Sequence, residues 1–411
     1  QAFELVQHRD DKLRLAVSLA ELYRDKLADR ARASRCLVRA IELDPSREDV
    51  IDALIGLGTD TVRVSEDQLD RAIAVQSDSL RDDPWRIGAY SQLYRLLALR
   101  DPQDVRLEPI LRLLHFFGRA PQNVDPSAHP LNRHRPSEAT CRRFLLHPWA
   151  RGVLFELFVP MSDALAQLLL ASGELLSAQT PVWRPSPDEG VSVLFAELCG
   201  RLAISGVELY VASKLDTALS WTVQPWRALW LSENWASLAG ERGGQQRLRY
   251  WLGHGLEGMR DAKAAVGLLS PDDFEHLLRA CVARLFPDLP VRGSATQETA
   301  QTQQLAEAMA QAIPRRTRRE LRALAEAAVK SSWHLPRWSL GLRFTMNRAG
   351  LLAAERIDVA LEELMAVQGI SQSLRAEARL EQCRSVAAIG DLLEFVVSDD
   401  YVALCDPRRG G

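Results

Sequence analysis

Asp-Pro dipeptides divide the first quarter of the chain into segments of similar pattern. Asp44-Pro45 and Asp83-Pro84 lie 39 residues apart, and apolar residues recur at helical spacing on both sides of each. Proline lacks an N–H donor, so it ends one helix, but it is tolerated in the opening turn of the next. The pattern therefore predicts repeated helix–turn–helix units, and a period of this length is typical of a helical-repeat solenoid.

The first of these units resembles a tetratricopeptide repeat. The residues that match the family's packing positions are Ala20, Tyr23, Ala33, Ala40 and Pro45 in the first unit and, more loosely, Ala72, Pro84 and Tyr90 in the second. The resemblance implies a surface that binds a peptide or a protein. A helical buttress for the rest of the chain is the alternative, because two repeats form little groove.

The length of 411 residues exceeds the usual size of one hydrophobic core, which favours two domains. Residues 120–138 combine four prolines with polar residues and have no apolar periodicity, so they are the predicted linker. We therefore expect helical repeats over 1–119 and a second domain over 139–411. His129 and His134 lie in the linker segment and are expected to be solvated.

The second domain alternates between helical and strand patterns. A helix is predicted over 189–203, followed by strands over 206–211, 220–224 and 226–231. Further helices are predicted around Trp235 and over 246–260 and 357–365. The fold class expected for the whole chain is mostly α with a small β-sheet, an α+β protein.

The segment from His254 to Gly258 carries a partial catalytic pattern. By the order of its elements, the region 186–370 resembles the membrane-protease-type gluzincins, the group that contains heat-shock protease X and the CAAX prenyl proteases. That family places H-E-x-x-H on one helix, so that two histidines bind zinc and the glutamate acts as general base. In this chain His254 stands at the first ligand position, Gly255 at the base position and Gly258 at the second ligand position.

The family's third ligand belongs to an E-x-x-x-D pattern on a later helix. The counterpart here places Arg343 at the glutamate position and Asn347 at the aspartate position. A guanidinium cannot coordinate zinc and would repel it. The resemblance therefore implies a pseudoenzyme that has no catalytic residue, no metal and no cofactor. It also implies that a neighbouring helix presents Arg343 or Asn347 toward His254. We also expect larger residues at Gly255 and Gly258 to be tolerated, because both lie inside a helix.

Two alternatives stay open for this region. It could be an ordinary α-rich domain with a small hairpin, in which His254 caps the core or lies at the surface. It could also use the reversed pattern H-x-x-E-H, with Glu257 as base. Because Gly258 replaces the second histidine of that pattern, a ligand would have to come from Glu275 or His276.

Composition excludes some partners. The net charge of −3 gives no general attraction to nucleic acid or to an anionic membrane. The apolar segment 144–171 contains two prolines and three charged residues, so no membrane span is expected. The six cysteines are far apart, which favours reduced thiols in a bacterial-type cytoplasmic compartment.

These observations predict a non-catalytic scaffold or adaptor that binds a protein or peptide partner. One alternative is an active metal-dependent hydrolase with an unrecognised site, and another is a structural segment of a larger assembly. The identity of the partner and the oligomeric state stay open at this point.

Overall fold

The structure is a computed structural model of the chain. It describes residues 6, 8–59, 64–121, 124–125, 134–169, 182–213, 215, 218–222, 227–241, 243–290, 300–331 and 333–406. Two compact units are present: Gln1–Arg133 with Leu361–Asp406, and a second whose described residues lie within 134–360. Most of the predicted linker, including His129, lies outside the described residues.

The first unit is helical throughout its described residues. Its N-terminal helices are α1 (Arg9–Glu21, continued by a π-helical turn Leu22–Lys26), α2 (Arg30–Leu43), α3 (Glu48–Thr59), α4 (Glu66–Asp82), α5 (Ile87–Arg100) and α6 (Leu107–Phe116). Each of these helices contacts its successor, except that α3 and α4 form no extensive contact. Helices α2 and α3 form one pair, and α4 and α5 form the next. Contacts join α2 to α4 and α3 to α5, so each helix of the first pair packs against its counterpart in the second.

The two Asp-Pro turns have the same geometry. Asp44 and Asp83 both adopt extended backbone after their helices, with φ of −146° and −144°. Each carboxylate accepts a hydrogen bond from the backbone N–H two residues later, at 2.9 Å for Ser46 and 3.1 Å for Trp85. In this Asx-type turn the carboxylate satisfies a backbone N–H of the segment that joins the two helices. A third copy occurs at Asp101, whose carboxylate accepts from the N–H of Gln103 at 2.9 Å.

The C-terminal helices belong to the first unit. They are α19 (Ala376–Cys383), α20 (Ala387–Val396) and α21 (Asp399–Cys405). The buried Tyr90 hydroxyl donates to the carbonyl of Leu393 at 3.3 Å, and Arg379 donates to the carbonyl of Phe116 at 2.9 Å. This division differs from the one expected from sequence, in which 139–411 formed a single domain.

The second unit contains the sheet and the remaining helices. The helices are α7 (Glu138–Phe144), α8 (Val153–Phe158), α9 (Ser162–Leu169), α10 (Gly190–Arg201), α11 (Glu233–Ala236), α12 (Gly244–Met259), α13 (Lys263–Val266), α14 (Pro271–Leu285), α15 (Ala300–Ala312), α16 (Arg315–Lys330) and α17 (Leu335–Ala354). Helix α18 (Ile357–Val367) begins in this unit, and its residues from Leu361 onward belong to the first unit. Short 3₁₀ turns occur at Pro148–Ala150, Val159–Met161, Ser237–Gly240 and Arg260–Ala262.

The described strands form one mixed sheet. They are β1 (Val182–Trp183), β2 (Glu208–Ala212), β3 (Leu219–Thr222) and β4 (Ala228–Ser232), in the spatial order β1-β2-β4-β3. Strands β2 and β4 run parallel, while β1 and β3 pair antiparallel at the two edges. All five residues of β4 are buried, as expected for a central strand that is covered on both faces.

Helix α12 lies between the sheet and helix α17. One side of α12 contacts β3 and β4, and another runs along α17 over much of its length. The paired positions run from Tyr250 with Gly350 to Gly258 with Met346, so the two helices are antiparallel. The mostly helical structure with a small sheet confirms the α+β class, whereas the solenoid stays a prediction.

The structure also bears on the expectations about a membrane span and about the cysteines. No helix among the described residues is long and apolar enough to cross a bilayer. All six cysteines are free thiols, and four of them are buried. Burial raises the pKa of Cys141 and of Cys281 to about 12, which leaves both thiols protonated and unreactive at neutral pH.

Candidate functional site

His254 and Asn347 are in direct contact. The Nδ1 atom of His254, on α12, lies 3.1 Å from the side-chain oxygen of Asn347, on α17. The hydroxyl of Tyr250 donates to the same oxygen at 3.2 Å. Because an amide oxygen only accepts, His254 must carry its proton on Nδ1. The structure thus brings together two of the residues singled out in the sequence, on neighbouring helices beside the sheet.

His254 is held in its neutral form. Its ring lies edge-on to the Trp251 ring, with centroids 5.4 Å apart, and is partly buried between the two helices. Burial lowers the pKa of His254 to about 4, and the hydrogen bond to Asn347 opposes this only in part. A neutral imidazole can bind a metal through its second nitrogen, but it needs partners to do so.

The base position and the second ligand position face packed side chains. A Cβ atom at Gly255 would lie 2.9 Å from Leu229 and 3.0 Å from Leu219, two core residues of the sheet. A Cβ atom at Gly258 would lie 2.8 Å from the Met346 methyl group and 3.2 Å from the indole nitrogen of Trp221. Larger residues at these glycines would displace the ends of the Leu229, Leu219 and Met346 side chains, so packing opposes the gain in helix propensity, and their tolerance stays a prediction.

Glu257 is committed to an ion cluster. Its side chain is 1% exposed and accepts from Arg260 Nε at 2.8 Å, with Lys263 Nζ 3.0 Å from its other oxygen. Lys263 also donates to the Arg260 carbonyl at 3.0 Å and lies 3.3 Å from Asp261. Both carboxylate oxygens are occupied by cations, so this arrangement gives no support to Glu257 as the base of a reversed motif.

The remaining candidate ligands do not join His254. Arg343 has an exposed side chain one turn before Asn347. Glu275, on α14, forms an ion pair with Arg279 at 2.7 Å. Within the described residues, no group of three or more His, Cys, Asp and Glu side chains is arranged to hold a metal ion.

A second feature of the same unit is an apolar groove of about 370 Å³. Its walls are the start of α10, the turn after α11 and the strands β1 and β2. Trp183 of β1 is 38% exposed there, and Val191 and Val211 form the base. Two exposed carboxylates, Glu189 and Glu233, lie on the rim.

Several residues that define the helix pair were missed by sequence reasoning. Tyr250 lies one turn before His254, and Arg260 lies three residues after Glu257. Because residues three or four apart are neighbours on a helix, the sequence could have identified both contacts. Trp221 was assigned to the sheet, but its indole N–H donates to the Gly255 carbonyl at 3.0 Å. Met346 had no distinguishing pattern, because its contact with Gly258 depends on how two distant helices cross.

Comparison with known proteins gives no relative for this chain. No protein-family model matches it, and neither a curated protein nor a solved structure does.

Proposed function

We propose that this protein is a non-catalytic interaction protein that binds a peptide segment of another protein. The apolar groove beside β1 carries the proposal. A large exposed aromatic residue at the wall of an apolar depression is typical of peptide and protein docking sites. Trp183 is such a residue, and Val182 next to it is also more than one-third exposed.

The charge of the rim indicates the kind of peptide. Glu189 and Glu233 form no ion pair with another described residue. A ligand with a large apolar side chain and a neighbouring lysine or arginine would cover the base of the groove and place a cation beside these carboxylates. We therefore expect an apolar–basic peptide as the occupant.

The helix pair of α12 and α17 supports the absence of catalysis. The faces of Gly255 and Gly258 are filled by side chains of the sheet and of α17, and Glu257 is held by two cations. A metallopeptidase-like ancestry stays part of the proposal and rests on the order of elements together with the contact between His254 and Asn347.

Selection of random 12-residue peptides on the full chain tests the interaction. We expect enriched peptides that combine an aromatic or large aliphatic residue with lysine or arginine. Trp183→Ala should weaken their binding at least tenfold, and Glu189→Lys should weaken it through charge repulsion, whereas Glu320→Lys on α16 should have no effect. Unchanged affinity in both groove variants, or no enrichment, would refute the proposal.

Elemental analysis tests the catalytic part. Protein purified without chelator is expected to contain much less than one zinc per chain and to leave a fluorogenic peptide uncleaved. A zinc ratio near one that is lost in His254→Ala would instead identify a metal site.

A further inference from the structure

A second cavity of the same unit, about 310 Å³ in volume, is lined mainly by polar groups. It lies among α7, α9, the end of α10 and the turn after α12. The charged residues in its wall are Glu138, Arg142, Asp163, Arg227, Arg260 and Asp261. This cavity is distinct from the apolar groove and shares no lining residue with it.

Strained backbone surrounds this cavity. Ala203 and Asp261, both in its wall, have φ of 50° and 52°, and Ala262 follows with φ of 49°. Left-handed conformations are unfavourable for residues other than glycine. Two such residues occur in succession here, and Arg142 Nη1 donates to both carboxylate oxygens of the first, Asp261, at 2.6 and 2.7 Å. Strain that is retained in this way is typical of functional sites.

Most of the charges in the wall neutralise one another. Arg142 pairs with Glu138 at 2.9 Å as well as with Asp261, and Arg260 pairs with Glu257 behind the wall. Burial raises the pKa of Asp261, but Lys263 and Arg142 outweigh it and hold that pKa below its usual value. These groups form a fixed ionic frame rather than a free binding surface.

Two charged side chains of the wall are left without an ion-pair partner among the described residues. They are the guanidinium of Arg227 and the carboxylate of Asp163. Arg227 donates through Nη2 to the Met259 carbonyl at 2.8 Å, which holds it at the end of α12 and leaves its other donors available. The cavity therefore offers one cationic and one anionic group, whose charges sum to zero.

We propose that this cavity binds a small zwitterion of the α-amino acid type. The ligand's carboxylate would accept hydrogen bonds from Arg227, and its ammonium group would donate to Asp163. The volume lies at the lower end of the about 300–1,000 Å³ found for ligand sites, which suits a molecule of this size. Val159, Ala203 and Ile204 supply apolar wall for a side chain.

Binding of amino acids to the full chain tests the proposal. The twenty standard L-amino acids are first screened by thermal shift, and those that stabilise the protein are measured by isothermal titration calorimetry. For each binder, the amide analogue lacks the carboxylate and the deaminated analogue lacks the ammonium group. We expect at least tenfold weaker binding for both analogues.

Substitutions at Arg227 and Asp163 test whether these two residues bind the amino acid. Arg227→Gln and Asp163→Asn should each weaken binding of the amino acid at least tenfold, whereas Arg316→Gln on α16 should leave it unchanged. The Asp163 side chain is exposed and forms no hydrogen bond or ion pair with another described residue, so its variant should fold even if the Arg227 variant does not. The proposal is overturned if no amino acid binds, if the deaminated analogue binds equally well, or if Asp163→Asn retains full affinity in a folded protein.

Discussion

The two halves of helix α12 are stabilised in opposite ways. Its middle part approaches α17 so closely that Gly253 lies against Ala353 and the Ala349 carbonyl, with no room for a side chain. Its last turn leads into an ion cluster in which Glu257, Arg260 and Lys263 are all buried and paired. One helix therefore combines close backbone packing with fully paired buried charge.

The difference shows what each half can tolerate. Close packing of two backbones is lost when atoms are added, because neither helix can move without disturbing the sheet or the core. A buried ion cluster is lost when one charge is removed, because its partners remain buried and uncompensated. Substitutions in the two halves should accordingly fail for different physical reasons.

Removing the Glu257 carboxylate, at the centre of the ion cluster, should have the largest effect on stability. Glu257→Gln leaves Arg260 and Lys263 without their shared partner, and we expect it to lower the free energy of unfolding by about 3 kcal/mol. Every tryptophan except Trp85 lies in the second unit, so urea denaturation followed by tryptophan fluorescence reports on that unit.

The matched control is an exposed carboxylate of the same unit. Glu320 pairs with Arg316 at 3.2 Å, and the Arg316 side chain is 92% exposed. Glu320→Gln should cost less than about 1 kcal/mol. Equal losses in the two variants would show that the buried cluster contributes no more than a surface pair.

Adding one methyl group to the close-packed half should have the next largest effect. In Gly253→Ala the new Cβ would lie 2.8 Å from the Ala349 carbonyl oxygen, so the helices must separate. We expect a loss of about 1–3 kcal/mol, measured by the same denaturation experiment.

A second glycine provides the comparison. Gly200 lies near the end of α10, and a Cβ there would lie 3.8 Å from its nearest neighbour, Arg135. Gly200→Ala should be neutral or stabilise by up to about 1 kcal/mol through helix propensity. If Gly253→Ala behaved in the same way, α12 and α17 would not be as close as described here.

Lowering the pH should reduce the stability contributed by the half of helix α12 that contains His254. Its pKa falls from 6.5 to about 4 on folding, so the folded state binds fewer protons between these values. The stabilisation is fully present above pH 6.5 and is lost as the pH falls toward 4. Between pH 7.5 and pH 5 we expect a loss of about 1–2 kcal/mol from this residue.

The variant His254→Gln isolates this contribution. Glutamine keeps an N–H donor for Asn347 but does not titrate, so the loss between pH 7.5 and pH 5 should shrink. Denaturation at both pH values, in parent and variant, provides the measurement. Identical pH dependence in the two proteins would contradict the neutral, buried histidine.

The smallest effect on stability is expected from relieving the strained backbone at Ala203. Ala203 follows α10 with a φ of 50°, where glycine is the usual residue. Ala203→Gly should relieve this conformation and stabilise the second unit by about 1 kcal/mol. A destabilised variant would indicate that the methyl group of Ala203 contributes more through packing than it costs in strain.

Sequence patterns predicted the local structure well. The alternation over 206–211 and the apolar run over 226–231 correspond to β2 and β4, and the helix over 189–203 corresponds to α10. The spacing between Asp44-Pro45 and Asp83-Pro84 predicted two turns that have the same hydrogen bonds. These features depend on residues close in sequence, so periodicity and proline position suffice.

Features that depend on distant residues were not predictable in the same way. The short strand β1 and the parallel pairing of β2 with β4 require knowledge of the crossover. Gly255 and Gly258 were interpreted as lost chemistry, and their packing against Leu229 and Met346 was not expected. The family resemblance predicted that Arg343 or Asn347 would face His254; the structure places Asn347 there and leaves Arg343 exposed.

The hydrogen bond from Tyr90 to Leu393 has a consequence for the synthesis of the protein. These residues are 303 positions apart, yet both belong to the first unit. A ribosome releases the N-terminal helices long before the helices that cover Tyr90 exist, so the second unit is completed first. The emerging N-terminal helices must therefore stay soluble with part of their core uncovered until residues 376–405 have been made.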